Sequence, residues 1–208
     1  MRFGPLMHTD PAKGATLEEM ARQALENAPA TFTLVGFSMG GYVAREIVRQ
    51  APDRVTTLIL IATSARGDSD VQAKRKAALA GQTDPGAFRG LSTAAVASSL
   101  HPDKAGRSDL IVRIQEMGQR LGGDVFRQQS LLDRRDERAE LGTIRCPTLV
   151  IAGDQDRLRS RAEAMELHDG IRGSAFEVIE NTGHMVPLEA PRRLGAVISR
   201  WLDAQAAG

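Results

Sequence analysis

Thr31-Phe32-Thr33-Leu34-Val35-Gly36-Phe37-Ser38-Met39-Gly40-Gly41-Tyr42-Val43-Ala44 is the stretch on which the fold turns. Residues 31–36 form a short β-branched, glycine-bounded run that predicts a buried strand, and Met39 to Gln50 predicts a helix directly after it. Gly36-Phe37-Ser38-Met39-Gly40 between them fits G-x-S-x-G, the pattern of a sharp strand-to-helix turn that lifts a serine oxygen above the sheet. The expected reason for the flanking glycines is steric, because side chains there would collide with the strand and helix as they pass. A serine at the start of a helix also has free N–H groups and a positive dipole end beside it, suited to an oxygen that becomes negative during acyl transfer. Ser38 is the candidate nucleophile, and the Met39 amide is the candidate oxyanion donor.

The pattern continues on both sides. Upstream, Thr16-Leu17-Glu18-Glu19 is a capping box, followed by Leu17, Met20, Ala21, Ala24 and Leu25 at helical spacing. Downstream, Ala51-Pro52-Asp53-Arg54 ends the second helix, and Val55 to Ala62 is a nearly continuous apolar run, as in a strand covered on both faces. Strand, helix, strand in this order implies a right-handed crossover in a parallel sheet. The same grammar returns with a strand at Thr148 to Gly153, a helix from Ser160 to His168, a strand at Phe176 to Ile179 and a closing helix from Leu188 to Leu202. Between the halves, about 68–140, helices are expected without strands: Val71 to Ala80, Thr93 to Leu100, Asp109 to Leu121 and Val125 to Leu132. The reading is one α/β domain, 1–208, with a mostly parallel sheet flanked by helices and a helical cap insertion.

A serine hydroxyl needs a base, and a neutral imidazole needs a carboxylate to fix its tautomer and stabilise its cation. Thr148-Leu149-Val150-Ile151-Ala152-Gly153-Asp154-Gln155-Asp156 carries two carboxylates past the end of a buried strand, where open α/β sheets keep their ligands. Asn181-Thr182-Gly183-His184-Met185 puts a histidine in the loop after the next strand. The chain order serine, acid, histidine follows. His8, His101 and His168 lack a partner motif and are read as surface residues; Cys146, before a proline at a strand entrance, is read as packing.

The segments GFSMGGYVA, CPTLVIAGDQD and GHMVPLEAP resemble the nucleophile, acid and histidine motifs of the α/β-hydrolase superfamily. They are most similar to its cap-bearing esterase, lactonase and C–C hydrolase branch. The resemblance covers roughly residues 17–65 and 144–202, and the insertion matches only in general character. It implies the fourth position of G-x-x-D as the acid, selecting Asp156 over Asp154, which becomes a turn former. It also implies a catalytic set of Ser38, Asp156 and His184 without metal or cofactor. A serine at the elbow argues against the dehalogenase and epoxide-hydrolase branches, which use aspartate there. Esters, lactones, thioesters and C–C bonds stay open, with a small-molecule acyl compound as the expected substrate.

Relatives of this fold carry several strands and a Gly-containing loop before the first helix seen here, and that loop supplies a second oxyanion amide. Ser38 comes early by that standard, so the chain resembles an amino-terminally shortened member, with only Met1 to His8 placed to serve as a preceding strand. Either an active hydrolase or a weakened scaffold kept for binding fits this, and an uncovered nucleophile strand predicts self-association.

Composition narrows the alternatives. Across 208 residues, 42% are hydrophobic and 25% charged, the balance of a single globular domain. Lys plus Arg (27) nearly cancels Asp plus Glu (26), leaving no basic stripe for nucleic acid. One cysteine cannot form an internal disulfide, and no Cys/His cluster has metal-ligand spacing. Met1 to Asp10 lacks a signal-peptide pattern, and no run approaches the roughly 20 apolar residues of a membrane span. A soluble, cytoplasmic protein is the expectation.

Overall fold

A computed structural model describes residues 4–10, 13–82 and 88–207. Four strands, β1 (Phe32–Phe37), β2 (Val55–Ile61), β3 (Thr148–Gly153) and β4 (Ala175–Ile179), form a parallel sheet in the order β1-β2-β3-β4. The register pairs Val35 with Ile59, Leu60 with Val150, and Ile151 with Glu177. Helical chain after each of β1, β2 and β3 returns to the sheet's starting edge to begin the next strand, as parallel neighbours require.

Because successive side chains in a strand face opposite sides, β2 and β3 feed two cores. Leu58, Leu60, Val150 and Ala152 pack with α1 (Leu17–Glu26), α2 (Met39–Gln50) and α7 (Arg161–Gly170). Ile59, Ile61, Leu149 and Ile151 pack on the other face against Leu194, Val197 and Trp201 of α9 (Pro191–Ala206). Side chains such as Leu58, Ile59 and Leu149 are wholly excluded from water, a gain of about 1.5–3 kcal/mol each. Two-sided burial explains the nearly continuous apolar reading of both strands. Half of the expected capping box forms: Thr16 Oγ1 accepts from Glu19 N, but Glu19 Oε2 accepts from Ala15 N, one residue before the N-cap amide that a full box would satisfy.

Between β2 and β3 lie α3 (Asp70–Gln82), α4 (Thr93–Ser99), α5 (Ser108–Leu121) and α6 (Gly123–Ser130), with no strand among the described residues. Three details depart from the sequence reading. The closing helix is interrupted: α8 (Val186–Glu189) ends at Ala190, and Pro191 starts α9, since a proline ring has no N–H to continue the first helix. Residues 4–8 form no strand, and Met1 to Phe3 lie outside the described residues. His101 is buried, its Nδ1 accepting from Asp103 N as the cap of a short 3-10 turn, Pro102–Lys104. No described helix is long and apolar enough to cross a membrane.

Candidate active site

Ser38 joins β1 to α2 with φ 52° and ψ −116°, a conformation that non-glycine residues avoid at a cost of order 1–3 kcal/mol. Its surroundings hold it there. Ser38 N donates to Ile61 O at 2.9 Å, extending the ladder one residue past β1, and Thr63 Oγ1 and Gly41 N donate to Ser38 O at 2.7 and 3.0 Å. Ser38 makes no side-chain cap bond to α2, so its hydroxyl is free for other partners. The first amides of α2, Met39 among them, have no acceptor inside the helix and lie beside that hydroxyl's residue.

The glycine pattern is partly corrected. A Cβ on Gly36 would lie 2.6 Å from Gly40 O and 2.8 Å from Gly41 Cα, so the helix crosses the strand too closely for a side chain. A Cβ on Gly40 meets nothing within 4 Å, whereas one on Gly41 would fall 2.3 Å from Thr63 Oγ1. Crowding therefore acts at Gly36 and at Gly41, the glycine after the five-residue motif, and not at Gly40.

Asp156 sits in the loop after β3 with its side chain wholly buried. Leu158 N and Arg159 N each donate to its Oδ1 at 2.8 Å, and His184 Nδ1 lies 2.8 Å from its Oδ2. An ionised carboxylate only accepts, so His184 carries its proton on Nδ1 and presents a bare Nε2. That nitrogen lies 2.8 Å from Ser38 Oγ, which donates to it. The Phe37 ring, 5.3 Å from the imidazole, covers one of its sides. The structure thus brings Ser38, Asp156 and His184 into one hydrogen-bonded chain.

Asp154 stands two residues away with a different task. Its Oδ1 accepts from Thr182 N at 2.9 Å, while Asp154 N and Gln155 N donate to Ile179 O and Thr182 O, so it ties the two loops together. Burial acts to raise its carboxyl pKa, but the Thr182 and Asn181 amides outweigh it and hold the group below its ordinary value. Gly153 is needed beside this tie, since a Cβ there would meet Gly183 O at 2.3 Å.

Two contributors had no motif to announce them. Thr63 braces the turn from the end of β2, and Ser99 O, at the end of α4, accepts from His184 N at 2.8 Å. Glu189, inside the GHMVPLEAP segment but given no role by its spacing, accepts from Gly183 N at 2.9 Å. His8 is exposed, and His168 bonds Ser174 and stacks on Phe176 away from this chain of contacts. Cys146 is half-buried against the first core, and burial pushes its thiol pKa up. Among the described residues no group of three or more His, Cys, Asp or Glu is placed to hold a metal.

The bifunctional biotin biosynthesis protein BioHC of Teredinibacter turnerae is 26% identical over 206 residues, spanning 91% of this chain and 36% of that protein. Monoacylglycerol lipase abhd6-A of Xenopus laevis is 27% identical over 194 residues, spanning 84% of this chain and 55% of that protein. The chain therefore spans about a third to about half of these curated relatives. Among solved structures, a thermophilic esterase from Thermogutta terrifontis superposes with a TM-score of 0.82 at 28% identity, over 91% of this chain and 72% of its own. The profile of the alpha/beta hydrolase fold family matches residues 14–191, and the chain belongs to that family.

Proposed function

We propose that the chain hydrolyses an ester or related acyl bond of a small molecule through an acyl-enzyme on Ser38. The observation that supports this is the continuous line Ser38 Oγ to His184 Nε2 to Asp156, each link 2.8 Å. Ser38 Oγ attacks the acyl carbon while His184 Nε2 takes its proton, and buried Asp156 stabilises the imidazolium. The carbonyl oxygen, now negative, faces the Met39 amide at the positive end of α2. His184 returns the proton to the departing alcohol as the C–O bond breaks. Water then attacks the acyl-serine by the same base, releasing the acid and restoring the serine. The helical insertion serves as a cap that shapes the pocket, and neither metal nor cofactor takes part.

The relatives support the bond type, since those named above include a lipase and an esterase. A second reading, a scaffold with weak activity, is favoured by β1 standing at the edge of the sheet, where the strand bearing the nucleophile has one neighbour only among the described residues. The test combines p-nitrophenyl acyl ester turnover with labelling by a fluorophosphonate probe. Labelling on Ser38, lost in Ser38→Ala together with turnover, supports the proposal; turnover that survives Ser38→Ala refutes it.

A further inference from the structure

We propose that Glu189 is a positioning residue whose carboxylate locks the His184 loop to the helical insertion, so that the base and the insertion behave as one unit. The inference rests on the role assigned to His184 above.

The carboxylate of Glu189 is fully buried at the end of α8. Its two oxygens go to two different parts of the chain. Oε1 accepts from Gly183 N at 2.9 Å, the residue immediately before His184, and Oε2 accepts from His101 N at 2.8 Å, in the insertion. A third bond crosses the same seam, from His184 N to Ser99 O at 2.8 Å. The backbones lie so close that a Cβ on Gly183 would be 2.5 Å from Leu100 C and 2.6 Å from His101 N. Around this polar centre, Met185 and Leu188 pack against Val96, Leu100, Leu110 and Ile114 of the insertion.

A buried carboxylate is costly unless it is well bonded and compensated. Two amide donors answer its oxygens. Lys104 supplies the charge: its ammonium bonds Asn181 O and Glu189 O and stands 4.0 Å from Glu189 Oε2. The arrangement acts on chemistry through geometry. The bond from Gly183 N to Glu189 fixes the Thr182–Gly183 peptide plane and the bond from His184 N to Ser99 O fixes the next, so the two together set the direction in which the imidazole presents Nε2 to Ser38. The carboxylate of Glu189 bonds Gly183 N and His101 N, not Ser38 or Asp156, so it reaches the chemistry through the His184 loop.

The carboxylate is not replaceable by its neutral isostere. Glutamine offers one acceptor and one NH₂ group, so one of the two amides would face a donor. Glu189→Ala and Glu189→Gln are therefore both expected to lower kcat about 10- to 100-fold while KM changes little, since substrate contacts stay in place and only base alignment is lost. In both variants the amides of Gly183, His184 and His101 should exchange with deuterium faster, and together, because one clamp protects all three. A carboxylate with a purely structural role would lower the melting temperature and leave kcat intact below it.

Wild-type kcat in either folded variant overturns the positioning role, and unchanged exchange, or faster exchange on one side of the seam only, overturns the lock. If Glu189→Ala does not fold, the volume-conserving Glu189→Gln decides by the same two readings. The exchange measurement needs no turnover. Should Ser38→Ala retain activity, the assignment of the base fails, while joint deprotection still supports the lock and its absence still overturns it.

Discussion

Replacing Asp156 by asparagine tests the candidate base through hydrogen-bond polarity alone. Two backbone amides, Leu158 N and Arg159 N, donate to Oδ1 at 2.8 Å each, and neither can be satisfied by an NH₂ group. The asparagine oxygen must therefore take their place, which turns its NH₂ toward His184 Nδ1, 2.8 Å away from the other oxygen in the native protein. The imidazole responds by accepting at Nδ1 and carrying its proton on Nε2. That nitrogen then donates toward Ser38 Oγ and can no longer remove its proton. Every polar atom keeps a partner, so stability should change by no more than about 1 kcal/mol. Turnover should fall by about 10⁴, near 5.5 kcal/mol of lost transition-state stabilisation. Asp154→Asn, by contrast, leaves an amide oxygen for Thr182 N and should cost little turnover. Initial rates on a p-nitrophenyl ester with parallel thermal melts separate these outcomes. An Asp156→Asn protein retaining a tenth or more of wild-type turnover, or an equal loss in Asp154→Asn, would refute the reasoning.

Four further outcomes are expected. Arg45, whose pKa burial lowers, is held by Glu137 Oε2 at 2.6 and 2.8 Å; Glu137→Ala strands that cation and should cost about 3–5 kcal/mol in urea unfolding. Asp154 has a folded pKa below its unfolded value of about 3.9, so its contribution is present above that pH and lost as pH falls through the folded value. Asp154→Ala should thus lose about 1–2 kcal/mol at pH 7, with the gap to wild type closing in acid. Gly41→Ala drives a methyl into Thr63 and should cost about 1–3 kcal/mol, whereas Gly40→Ala, with open space, should be neutral or stabilising in a denaturant titration. Expressed as this 208-residue chain, the protein should self-associate through the β1 edge, where Val35 is half exposed, and Val35→Lys should lower its mass by light scattering.

Much of the fold was legible because its signals are local. The run Val55 to Ala62 reads as buried on both sides for the reason it is buried, namely that helices cover each face of β2. The helix expected from Ser160 to His168 is α7, and the structure closes its start with a capping box between Ser160 and Glu163. The candidate site was legible for a related reason: Ser38, Asp156 and His184 each follow directly from a strand end, and a parallel sheet brings successive strand ends to one edge whatever the connections between them. Choosing Asp156 over Asp154 needed the family pattern, since both carboxylates fit a post-strand loop, and the structure separates them by what each accepts.

The features that escaped are those whose partners lie far along the chain. Glu189 accepts from His101, 88 residues away, and neither residue carries a pattern naming the other. His101 read as a surface residue because helix-flanking histidines in polar stretches usually are; its burial comes from the seam with the histidine loop, a tertiary fact. The glycine error has the same origin. G-x-S-x-G encodes the turn, but which glycine is crowded depends on where Thr63 falls at the end of a different strand, and its side chain occupies the space beside Gly41. These are all contacts between the turn bearing Ser38, or the loop bearing His184, and a segment that no helical or strand period links to it. Periodicity specifies the scaffold that delivers reactive groups to a common edge, while their final alignment is fixed by single polar contacts, Thr63 to Ser38 O and Glu189 to Gly183 N, which have no period to read.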